Sequence, residues 1–193
     1  MKTQILIVGL FFIPLVGFAQ EQTDQQVMSK EEQKQMEKEH RKAVRQAEEE
    51  ATMKRVDSMM NQHRYVLEAD YVSGKSGSRI PVSSTLNFLI VDSSEVVIQL
   101  GSLTGIGYNG VGGITVEGNI TKYEMNKKEG KKGVSYNISI YIMSNIGVYD
   151  IQLWISSSGQ ADATVRGNTS GVLNYSGRLM SINESRVYKA RAI

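Results

Sequence analysis

Between Val134 and Met180 the sequence alternates apolar and polar residues through four consecutive runs, interrupted only by the short clusters SNIG, SSSGQ and GNTSG. Such alternation has the period of a β-strand, and a slip of one residue would turn every side chain to the opposite face. The register is therefore fixed by asking which pairing gathers the apolar residues on one side. Around Asn145-Ile146 this pairs Ile142 with Tyr149, Ile140 with Ile151, Ile138 with Leu153 and Tyr136 with Ile155. Across SSSGQ it sets Ile155 opposite Ala161, Leu153 opposite Ala163 and Ile151 opposite Val165; across GNTSG, Val165 meets Leu173 and Ala163 meets Tyr175. One apolar face then runs through four strands.

The reverse face is polar and falls into lateral rows: Tyr141, Asp150 and Arg166; Ser139, Gln152 and Thr164; Asn137, Trp154 and Asp162. Cross-strand pairs such as Asp150 and Arg166 each contribute about 0.2–1 kcal/mol. Trp154, the only tryptophan, is suited to stacking on a sugar ring or filling a partner's pocket. The alternative, favoured from sequence, is that it covers the sheet beneath the N-terminal helix or a loop.

The same strand character begins after His63. Strands are expected at Arg64 to Tyr71, Val82 to Val91, Glu95 to Gly101, Ile114 to Met125, Val134 to Met143, Val148 to Ser156, Ala161 to Arg166 and Val172 to Met180. An eight-stranded meander with one apolar face must close on itself or fold over, since an open sheet would expose that face. The expected fold is all-β: an eight-stranded antiparallel up-and-down barrel of lipocalin-like type over residues 63–193, preceded by a charged N-terminal α-helix. At eight strands the interior holds packed side chains or one small ligand.

The segment from Met28 to Gln62 contains no Gly or Pro and is dominated by strong helix formers. Residues 20–62 read as a charged extension, helical or partly disordered. Glu37 with Arg41 and Glu50 with Lys54 have the favourable acid-first i,i+4 order, against a like-charged column of Lys30, Lys34, Lys38 and Lys42. The apolar stripe of Met36, Ala43, Ala47 and Ala51 is thin, and only Val56, Met59 and Met60 could bury much area. That favours a solvated spacer over a coiled-coil or docking helix, because coiled coils need large residues at a and d through several heptads.

Residues 1–19 have the form of a signal peptide: Lys2, an apolar run from Ile5 to Phe18 interrupted by Pro14, and small residues at Gly17 and Ala19. The run is shorter than the roughly 20 residues of a membrane-spanning helix. The expectation is an exported chain, periplasmic or secreted, cleaved between Ala19 and Gln20 and soluble, with no transmembrane segment in the mature form. There is no cysteine to carry a lipid or a disulfide. The net charge of +2 falls to +1 when Lys2 is removed, unlike the one-signed basic face of a nucleic-acid binder.

Two segments imitate phosphate-binding motifs. TGIGYNGVGG (104–113) contains G-x-G-x-x-G after a strand-like run, and ADYVSGKS (69–76) resembles a loose P-loop. Both motifs require a helix to begin at once, so that its N-terminal amides face the anion. Here Pro81 and β-branched residues follow the first-occurring segment, and Gly112, Gly113 and a strand follow the other. Nucleotide is therefore not expected as a partner, nor is nucleic acid. The glycines instead suit a sharply bent strand-to-strand connection, with Tyr108 and Asn109 projecting at a barrel rim.

No catalytic constellation stands out, and no cofactor or metal is expected. His40 and His63 have no metal-ligand spacing, no serine sits in a G-x-S-x-G elbow, and nothing selects a carboxylate pair from Glu68, Asp70, Glu117 and Asp150. The sequons at Asn119, Asn137, Asn168 and Asn183 fit Asn/Ser/Thr-rich strands and turns.

The blocks YVLEADYVSGKSGSRIPVSSTLNF, GIGYNGVGG with ITVEG, GVYDIQLWIS and YSGRLMSINESRVYK resemble the family called domain of unknown function 4251, of exported Bacteroidetes proteins. The likeness runs from about Tyr65 to Lys189, with RIPVSSTLNF and GYNGVGG the most specific blocks. It implies an extracytoplasmic β domain behind a signal peptide and a variable N-terminal segment, and brings no activity or ligand. It also brings an O-glycosylation pattern that Asp57-Ser58-Met59 fits.

Two functions follow from these features. In one, a small apolar or amphiphilic ligand enters beside the glycine loop, near Tyr108 and Asn109, and lies among Tyr136, Tyr149 and Tyr175. In the other the barrel is solid, and the helix, the Trp154 face or the glycine loop contacts an envelope protein or glycan.

Overall fold

The computed structural model describes residues 29–102, 107–130, 133–168 and 171–192. The signal-peptide expectation and the start of the Gly-rich run, Thr104 to Ile106, lie outside them. The chain divides into units of residues 1–40 and 41–193, and one helix, α1 (Lys30–Gln62), crosses that boundary. Its N-terminus forms a capping box: the Glu32 amide donates to Ser29 Oγ at 3.2 Å, and the Ser29 amide donates back to Glu32 Oε2 at 2.9 Å.

In the second unit nine strands follow: β1 (Arg64–Ser73), β2 (Arg79–Pro81), β3 (Phe88–Asp92), β4 (Glu95–Leu100), β5 (Ile114–Gly130), β6 (Gly133–Ser144), β7 (Gly147–Ser156), β8 (Gln160–Gly167) and β9 (Val172–Met180). All neighbours are antiparallel, and β1 pairs with β9, closing an eight-stranded barrel with β2 as a short addition beside β1. The registers derived from apolar alternation are those observed in β6 to β9, and the three polar rows stand side by side as expected.

The second expected strand is not one strand. Residues 82–87 leave the sheet because Ser83 O accepts hydrogen bonds from the amides of Leu86 and Asn87 and from Asn87 Nδ2, and Pro81 has no amide to offer a ladder. Two bulges bend the wall: Asp70 is extra where Ala69 faces Gly177 and Tyr71 faces Ser176, and Thr121 is extra between Ile120 and Lys122.

The interior is one cluster drawn from all eight barrel strands. Tyr65, Leu67, Ile140, Ile142, Ile151, Ile155 and Tyr175 have essentially no accessible surface. None of them therefore borders a space large enough for a water molecule. Val56 and Met60, from the last turns of α1, are buried in the same cluster. The helix end is thus more than the solvated spacer its thin stripe suggests, since two large side chains spaced i,i+4 suffice to anchor one face. Asp57 extends the attachment through an ion pair with Lys127 at 3.2 Å. His63, at φ 51°, turns the chain from helix to strand and stacks on Tyr123 with centroids 4.1 Å apart.

A second, smaller cluster lies outside the barrel wall. Val66, Phe88 and Val97 point away from the interior and are covered by Ile182 and Val187 of the C-terminal segment. The tail thus forms a strap over β1, β3 and β4.

Candidate functional site

Beneath and beside the strap lie four buried polar residues, Asn87, Gln99, Asn109 and Thr115. Burial of such groups is tolerable only when their hydrogen bonds are made, and here they are. Gln99 Nε2 donates to Leu86 O at 3.1 Å and Tyr188 O at 2.8 Å; its Oε1 accepts from Thr115 Oγ1 at 3.0 Å and Ala190 N at 2.8 Å. Asn109 Nδ2 donates to Leu100 O and Thr115 Oγ1, while its Oδ1 accepts from the amides of Val111 and Gly113. Asn87 Oδ1 accepts from Gly101 N at 3.0 Å.

This corrects the expected role of Asn109. It is 4 % exposed and folds the glycine loop from inside, whereas Tyr108 beside it is 88 % exposed. Glycine is needed at position 113 because a Cβ there would collide with the Leu100 carbonyl, and Gly110 and Gly112 hold φ of 79° and 76°. Gly113 leads directly into β5, and a turn closed by Gly77 N to Gly74 O follows β1, so neither phosphate-motif look-alike opens a helix.

The three tyrosines proposed as a pocket lining are separated by depth. Tyr175 is fully buried and donates to Gln99 O at 3.0 Å; burial pushes its phenol well above the ordinary range. Tyr136 is buried with its hydroxyl lacking a hydrogen-bond partner, and Lys127 Nζ lies 5.8 Å from its ring centroid. Tyr149 is half-buried, packs against the core and shields Gly167; burial raises its phenol pKa too. Tyr65 and Tyr123, which sequence reasoning passed over, meet hydroxyl to hydroxyl at 3.3 Å. Desolvation raises both phenols, and for Tyr65 the neighbouring Tyr123 adds to the effect.

The carboxylates hold separate partners. Glu68 accepts from Ser185 Oγ and the Arg186 amide, Asp70 lies 3.8 Å from Arg178, Glu117 pairs with Lys189 at 2.9 Å, and Asp150 accepts from Gln152 Nε2 at 2.9 Å. Among the described residues no group of three His, Asp or Glu could hold a metal ion.

One surface open to a partner is the outer wall of β6 to β8. Trp154 is 43 % exposed there, flanked across the strands by Asn137 and Asp162, so among the described residues neither helix nor loop buries it as expected. The polar groups around it are held by one another: Ser139 Oγ donates to Gln152 Oε1 at 2.8 Å, Thr164 Oγ1 to Asn174 Oδ1 at 2.8 Å, and Ser176 Oγ to Asp162 Oδ1 at 2.5 Å. At its edge Lys122 Nζ stands 5.7 Å from the Tyr141 ring centroid, and the hydrogen bond and charge of Glu124 raise the pKa of that lysine. The wall is a hydrogen-bonding surface that carries two exposed aromatics, Trp154 and Tyr141.

Residues 46–179 match the family described as Domain of unknown function (DUF4251). The chain belongs to the DUF4251 family. The match begins inside α1, so the helical turns carrying Val56 and Met60 belong with the barrel in this family, and it extends further toward the N-terminus than the resemblance from Tyr65 onward. A crystal structure of a DUF4251 family protein from Bacteroides eggerthii is similar with a TM-score of 0.56 and 26% identity, covering 70% of this chain and 91% of that one. No curated protein matches. The two most specific DUF4251 blocks, RIPVSSTLNF and GYNGVGG, contain Asn87 and Asn109, and both side chains fold loops. Asn87, Gln99 and Thr115 had one sequence signal: polar residues inside otherwise apolar runs.

Proposed function

We propose that this protein is an exported interaction module of the cell envelope that works through the outside of its barrel, and that the wall around Trp154 contacts a glycan. The single observation behind this reading is Trp154 itself. A large aromatic that stays 43 % exposed between Asn137 and Asp162 offers a stacking face for a sugar ring beside groups that hydrogen-bond hydroxyls and acetamides. Because Gln152, Asn174 and Asp162 are already oriented by neighbours, binding costs little side-chain entropy.

The leader-like N-terminus, with Lys2 ahead of the apolar run and small residues at Gly17 and Ala19, supports export. A small apolar ligand inside the barrel would need room that Tyr175, Ile140 and Ile151 already take up, which weighs for the outer wall. The test is retention of the protein on immobilised cell-wall glycan. Retention lost on Trp154→Ala with unchanged thermal stability supports the reading, and retention equal to wild type removes it.

A further inference from the structure

Strand connections alternate between the two ends of a meander barrel. Among the described residues, the end opposite α1 is formed by 74–87, 101–102 with 107–113, 145–146, and 168 with 171. These four connections contain no Asp or Glu, and their only charged residues are Lys75 and Arg79. Among the described residues the exposed large apolar side chains concentrate at the same end. Ile80 and Tyr108 come from two of the connections and Ile146 from a third, and Met143 and Val148 are direct partners on the outer wall just below it. At 88 % exposure Tyr108 has no packing role in the barrel. Arg79 lies 5.1 Å from the centroid of the Tyr71 ring, placing a cation beside an exposed aromatic at the rim.

We infer that this end of the barrel docks on an anionic phospholipid bilayer. Apolar tips spread over separate loops, with Lys75 and Arg79 in those loops and the acids Glu95 and Glu117 beside Met143 on the wall below, match a surface that is apolar beneath a negative headgroup layer. Aromatic residues such as Tyr108 favour that interface because the ring enters the acyl boundary while the hydroxyl stays hydrated. A protein partner would more commonly meet one contiguous apolar patch. The inference is independent of the proposed glycan contact, since none of these residues is Trp154, Asn137 or Asp162.

The test is co-sedimentation of the full chain at low salt with vesicles of equal parts phosphatidylethanolamine and phosphatidylglycerol, compared with phosphatidylcholine vesicles. Variants differ from wild type only at the loop end, so any contribution of the N-terminal apolar run is common to all. The expected result is preference for the anionic vesicles, weakened about fivefold by each of Lys75→Gln and Arg79→Gln. The double variant Tyr108→Ser/Ile146→Ser should weaken it about tenfold, as for the loss of roughly two buried methylenes, at unchanged thermal stability. No binding, equal binding to both vesicle types, or binding that none of these substitutions weakens overturns the inference.

Discussion

Gln99 Oε1 accepts a hydrogen bond from the backbone amide of Ala190 at 2.8 Å, tying the fourth strand to the end of the C-terminal strap. The same side chain donates to the Tyr188 carbonyl, so one amide group satisfies both sides of the extended tail. Gln99→Leu keeps the volume and removes every one of these bonds. Leaving buried backbone groups unpaired costs about 2–4 kcal/mol in all. Urea unfolding should show that loss, and limited proteolysis should cut first between residues 181 and 192.

The helix end is held by apolar contact. Met60 is fully buried in the barrel cluster, and Met60→Ala should cost about 2–5 kcal/mol through lost burial and the cavity left behind. Met36, exposed on the same helix, should tolerate Ala with a change within about 0.5 kcal/mol. Thermal unfolding of the two variants checks both values, and equal effects would contradict the anchoring role of Met60.

The buried phenols make the protein sensitive to alkali. Tyr65 and Tyr175 have folded pKa values raised above their unfolded values, chiefly by desolvation. Between the two values the unfolded chain has lost protons that the folded chain keeps, so the stability they contribute is fully present below about pH 10 and falls as pH rises. Each such tyrosine should remove about 1.4 kcal/mol per pH unit above that point. Denaturant unfolding from pH 8 upward, with Tyr175→Phe as the comparison, measures the slope; Tyr175→Phe should make it shallower.

Strict alternation made the registers of β6 to β9 legible, because each slip would have placed isoleucines in water. The bulges were written in the sequence as parity changes. Buried positions run 65, 67, 69 and then 72, and core-facing positions run 114, 116, 120 and then 123, 125. The uninterrupted runs FLIV and VVI in β3 and β4 signalled strands covered on both faces. What covers them was not legible, since the strap has no periodic pattern and its partner Gln99 lies 91 residues before Ala190. Trp154 was visible as an anomaly on a polar face, but its exposure depended on where the helix docks. Asn109 misled because an Asn in a glycine loop reads as a tip residue, whereas its amide can replace a missing backbone partner.

The most direct test of the account uses Trp154 as its own reporter, since it is the only tryptophan. Soluble β-1,4-linked N-acetylglucosamine oligosaccharides are titrated into the protein while its tryptophan emission is recorded. The account predicts a saturable blue shift that Asn137→Ala and Gln152→Ala weaken about tenfold, roughly the loss of one hydrogen bond to a sugar. Emission that stays unchanged through these and other cell-wall oligosaccharides would contradict a glycan-contacting role for the wall.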